Sequence, residues 1–160
     1  MVSVYRLHLD VDKFCYLMSE EKQLYKKYRF DGHPLGERWE PPEVYALEPL
    51  KPRPDFWSCF MSAATFAVTQ DIRDVIGKFL EQSAEQLPLP FEDAKLTIAN
   101  ITHVVDCFDT ERSDFNREVP HLIKKYVFRP NRMSHSLFKI PQSPMSEMLC
   151  VEGREDPEDE

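Results

Sequence analysis

His103, Asp106, Cys107 and Asp109 fall within seven residues, and a thiol, an imidazole and two carboxylates in one short span are the parts of a nucleophile with its base. Their spacing argues against that chemistry. The segment KLTIANITHVVDCF (95–108) is rich in β-branched residues and reads as strand, where side chains four positions apart share a face but lie about 13 Å apart. A sheet histidine beside a core thiol is the expectation, and no catalytic residue is assigned. His8, His33, His121 and His135 show no ligand spacing, and Cys15, Cys59, Cys107 and Cys150 form no C-x-x-C pair, so neither a metal nor a cofactor is expected. With glycine only at 32, 36, 77 and 153, the chain cannot write a dinucleotide fingerprint or a phosphate loop. H-E-x-x-H and G-x-S-x-G are also absent.

Two stretches carry the chemistry of binding instead. From 112 to 139 seven bases stand against Asp114 and Glu118, interleaved with Phe115, Tyr126 and Phe128. Cations between stacking aromatics suit a single strand of nucleic acid, so Lys124, Lys125, Arg129 and Arg132 form a candidate anion-binding strip. The acidic total favours the plainer reading, in which the aromatics alternate inward and the bases are solvated. The second stretch, 31–45, holds Asp31, Glu37, Glu40 and Glu43 against Arg38, with Trp39 beside Pro41 and Pro42. A stiff loop with an aromatic anchor inside an acidic rim suits a basic protein partner. The competing reading folds Trp39 inward as a plug.

These residues are positioned by elements that the pattern outlines. Alternation at Val4, Tyr5, Leu7 and Leu9 predicts a first strand at about 2–9. SEEKQLYKKYR (19–29), with a capping Ser, early Glu and late bases, predicts a short helix. Six prolines between 31 and 54 predict an extended, stiff connection, followed by a strand at DFWSCF (55–60). Ile72, Val75, Ile76, Phe79 and Leu80 make a continuous stripe over 69–83, the main amphipathic helix, with Thr69 as its cap and Asp74 placed to pair with Lys78. Pro88 and Pro90 read as a break. HLIKKYVFR (121–129) and SLFKI (136–140), separated by Pro130 and Asn131, predict a second β pair. The sum is a single α+β domain, a largely antiparallel sheet against one main helix and a shorter one.

The chain has 160 residues, with formal charge −8 at pH 7. Seven of its carboxylates fall between Glu147 and Glu160, so residues 1–150 read as the domain and 151–160 as an acidic tail. The longest stretch without a charge, 56–70, is too short and polar to span a membrane, and the first residues show no secretory h-region. A cytoplasmic chain is expected, in which the glycosylation acceptor Asn100-Ile101-Thr102 has no meaning.

Four segments together, YRLHLDVDKFCYL near the start, DGHPLGERWEPPEVY (31–45), DCFDTERSDF (106–115) and KKYVFRPNRMSHSLFKIPQSP (124–144), resemble the eleventh catalogued family of immunity proteins from bacterial polymorphic toxin systems. The resemblance spans roughly residues 1–150. It implies a non-enzymatic protein that neutralises a toxin encoded by an adjacent gene, through binding. Family members continue into a closing helix and strand where this chain reads GREDPEDE, and an edge left open there would be covered by a partner or by a second copy in a homodimer.

Overall fold

The computed structural model describes residues 2–133 and 137–151. His135 and the acidic residues 152–160 therefore lie outside the described residues. In chain order the elements are β1 (Val4–Arg6), β2 (Tyr16–Met18), α1 (Leu24–Lys27), β3 (Tyr45–Leu47), β4 (Phe56–Ser58), β5 (Phe66–Val68), α2 (Gln70–Ser83), β6 (Ala84–Phe91), β7 (Ala94–Ile101), β8 (Asp114–Phe115), β9 (Ile123–Lys125), β10 (Leu137–Phe138) and β11 (Leu149–Val151). Every ladder between these strands is antiparallel. The fold is α+β with one main helix, as the pattern predicts.

The central element is a four-stranded sheet in the order β4-β5-β7-β6, and its two faces bury different things. Because side chains alternate along a strand, Leu96 and Ile98 of β7 face one core together with Ala67, Leu87 and Leu89, while Ala99 and Ile101 face another with Phe66 and Val68. α2 covers the second face through Leu80, which is fully buried, and through Ile72, Ile76 and Phe79, which are half-buried. Among the described residues no helix of comparable length lies over the first face. Phe30, Leu35 and Trp39, from the proline-rich connection, fill that role. A third core forms around Phe108, Phe138 and Leu149, where β11 lies between β1 and β10.

Several expectations change. Val75 is 80% exposed, because the stripe that reaches the sheet is narrower than the one written in the sequence. Thr69 occupies the N-cap position of α2 with extended backbone but makes no side-chain cap, and Asp74 accepts from Gln70 at 2.8 Å rather than pairing with Lys78. The helix expected at 19–29 shrinks to the single turn of α1. Ser19 turns its hydroxyl to the Glu21 N–H, and Gln23 sits at φ +62, so the chain enters the helix only at Leu24.

Pro88 and Pro90 do not break anything. They lie inside β6, an edge strand, where alternate residues direct their backbone away from β7 and a missing N–H costs no ladder bond. Among the described residues the pairing expected between 121–129 and 136–140 is not formed. β9 pairs with β8, while β10 pairs with β11, whose three residues also hold β1 in the register Val4↔Val151.

The exposure of Val75 and the complete burial of Leu80 give a direct test of the core face. Leu80→Ala is expected to cost about 2–5 kcal/mol of unfolding free energy and Val75→Ala less than about 0.5 kcal/mol. The comparison is read from urea midpoints at unchanged m-value.

Candidate functional site

The connection that caps the sheet also carries the acidic candidate residues, and a few polar contacts fix its course. Leu35 and Gly36 present adjacent backbone N–H groups, and both donate to the Glu85 carboxylate of β6, at 2.8 Å to Oε2 and 2.7 Å to Oε1. The Asn100 side chain of β7 donates to Glu85 at 2.9 Å and to the His33 carbonyl at 3.1 Å. That commitment accounts for the buried Asn100 of the apparent glycosylation acceptor. Trp39 donates its indole N–H to the Pro88 carbonyl at 2.9 Å, using a backbone group that the edge strand leaves free of the ladder. Tyr28 exchanges bonds with the backbone of Glu40, and its ring stands 4.7 Å from that of Trp39. Gly32, at φ +97, comes so close to Val104 that a Cβ would stand 2.3 Å from its methyl group.

On this frame the five acidic-site candidates separate. Trp39 is 9% exposed and packs against Tyr28 and Phe30, so the aromatic anchor is corrected to a plug of the core. Its ring is too large to leave dry surface bare when an acceptor for its N–H is within reach. Asp31 is half-buried and committed to a neighbour. Its Oδ1 accepts from the backbone and ring of His33, and although burial acts to raise its pKa, the His33 contacts hold it below the usual carboxylate value. Glu37, Glu40 and Glu43 remain exposed. Glu40 accepts from Lys27 at 3.3 Å, as does Glu21.

Glu43 belongs to a group the sequence does not show. The β2–β3 ladder, with Met18 opposite Tyr45, brings Glu20 and Glu21 beside Glu43 around a hollow of about 520 Å³. In the sequence Glu20 and Glu21 read as the acidic first turn of a helix, and only the β2–β3 pairing could have placed them here.

The basic strip divides differently. Lys124 and Lys125 are exposed. Arg129 faces Asp109 at 3.5 Å, and Arg132 donates to Asp106 at 3.1 Å. The aromatics turn inward around Phe108, whose ring lies 5.4 Å from Phe115, 6.1 Å from Tyr126 and 6.2 Å from Phe128. Lys139 is fully buried, with its ammonium donating to the Phe30 carbonyl. Burial pulls its pKa down to about 8, with Asp31 acting in the opposite sense.

All four cysteines are free thiols, and burial pushes Cys107 up to about 11, which leaves it protonated at neutral pH. Among the described residues no group of His, Cys, Asp and Glu could hold a metal, and no helix is long and apolar enough to cross a membrane. The chain matches no family model and no curated protein.

The Glu85 clamp is testable by pH. Burial acts to raise the Glu85 pKa, but the donors from Leu35, Asn100 and Gly36 outweigh it and hold the carboxyl below its ordinary value of 4.5. A depressed folded value means that the clamp contributes fully above the unfolded pKa and is lost as pH falls through the folded one. Glu85→Gln is expected to cost about 1–2 kcal/mol at pH 7, allowing for partial exposure, and to remove part of the parent's loss of stability below about pH 4.5. Urea unfolding at pH 7 and in the acid limb measures both.

Proposed function

We propose that this protein is a cytoplasmic immunity protein that binds and occludes a cognate toxin encoded by an adjacent gene, without chemistry of its own. The observation that carries the reading is the fixed acidic face. Glu37, Glu40 and Glu43 stand exposed on a connection that Glu85, Trp39 and Tyr28 lock onto the sheet, and Glu20 and Glu21 come beside Glu43 from the segment before α1. Loops held by a rigid scaffold are where recognition concentrates, and a loop already ordered loses less entropy on binding. A surface of carboxylates speeds association with a basic partner and selects against acidic ones. The similarity of the four segments to polymorphic-toxin immunity proteins supplies the class of partner. The alternative, a nucleic-acid-binding regulatory module, retains exposed Lys124 and Lys125 but has its aromatics drawn toward the core.

The test uses the product of the adjacent gene. Glu37→Lys with Glu40→Lys is expected to leave the melting temperature nearly unchanged, since both side chains are exposed and the Glu40–Lys27 contact is a surface pair of small worth, and to weaken toxin binding by more than about tenfold, or roughly 1.4 kcal/mol. Lys124→Glu with Lys125→Glu should leave that affinity intact. Loss of binding in the lysine pair alone would move the interface to the strip, and salt-dependent binding of an oligonucleotide would favour the alternative.

A further inference from the structure

Past β1 the Leu7 N–H still donates to the Met148 carbonyl at 2.9 Å, and the chain then leaves the sheet through His8 and Leu9. These residues, with Met148, wall two adjoining hollows of about 490 and 140 Å³. The larger is mainly apolar, with Phe56 of β4 standing 42% exposed in its lining. Its charged lining residues are Asp10 and Asp55, and neither Lys nor Arg is among them.

The smaller hollow is bounded by an unusual turn. The Ser62 N–H donates to the Cys59 carbonyl at 3.0 Å, and the two residues between them, Phe60 and Met61, both have φ of +58. That conformation suits glycine or asparagine and is strained for side chains of this size. Phe60 packs against the first core, while Met61 is set out over the hollow at 64% exposure. Strain kept in a turn that exposes a large flexible apolar side chain is characteristic of a contact surface.

The geometry points to a docking site in this double hollow for a partner segment that presents an apolar side chain beside a lysine or arginine. The apolar walls receive the side chain, and Asp10 and Asp55 receive the cation. A second copy is the poorer occupant, because a two-fold contact through this patch would set these carboxylates against their own equivalents. The site shares no residue with the acidic connection, so it stands or falls independently of the toxin-binding reading.

The experiment titrates isotope-labelled full chain with two capped peptides, Lys-Leu-Phe-Leu-Lys and Glu-Leu-Phe-Leu-Glu, and follows amide shifts. The first is expected to move Leu7, Leu9 and Met61 saturably, with the second weaker by at least about tenfold, and Asp55→Lys should invert that order. Met61→Gly removes the contact and relieves the turn together. Its affinity should fall by about fivefold or more while its melting temperature does not fall, a combination that a purely structural Met61 would not give. Equal binding of both peptides, shifts that map elsewhere, shifts that depend on protein concentration alone, or unchanged affinity in Met61→Gly would each overturn the proposal.

Discussion

One carboxylate holding two adjacent backbone N–H groups sets the course of the long connection between α1 and β3. Glu85 stands on the edge strand, facing the same side as Leu87 and Leu89, and the N–H groups of Leu35 and Gly36 converge on its two oxygens. A connection with prolines at 34, 41 and 42 offers few backbone donors, so those it has must be met by something fixed. Asn100 braces the same carboxylate from β7 and reaches on to the His33 carbonyl. Once this segment is anchored, Leu35 and Trp39 close one face of the sheet, β3 is delivered to β2, and the glutamates between them are displayed outward.

A second tie joins the same connection to the far half of the chain at much greater electrostatic cost. Lys139 gives up its hydration entirely to bond the Phe30 carbonyl, with Asp31 as the nearby countercharge, and Gly32 lies against Val104 just beyond. Glu85 remains partly wet and is inexpensive to hold. Lys139 is dry, and that burial lowers its pKa against the opposing pull of Asp31. The two ties act at opposite ends of one short segment, so its position is set both by the central sheet and by the strands that follow it.

The fold class and α2 could be read from the sequence, because a long stripe of Ile72, Ile76, Phe79 and Leu80 leaves little choice of partner face. The short elements could not. β2 and β3 are three residues each, and nothing local to Tyr16 or Tyr45 says that they pair. Pro88 and Pro90 misled because a proline forbids a central strand but not an edge, and edge position is a property of the assembled sheet. The acidic residues were visible as a group, yet their division was not. Trp39 turns inward to the Pro88 carbonyl and Asp31 is taken up by His33, while Glu20 and Glu21 join from a segment that reads as helix. Lys139 looked like one base of a strip because its partner, a backbone carbonyl, leaves no trace in composition.

The placement of β11 also bears on the order in which the molecule can assemble. Val4 pairs with Val151 across nearly the whole described chain, whereas β6 and β7 meet through a two-residue turn. Closing so large a loop carries an entropic penalty that the local hairpin does not meet, so the central sheet with α2 is able to form while β1 still lacks its neighbour. A ribosome delivers β1 well before β11, the strand that holds it. During that interval the chain carries a solvent-facing strand with apolar Val4 and Leu7 unpaired, and the third core around Phe138 and Leu149 is the part whose rate of formation sets how long that exposure lasts.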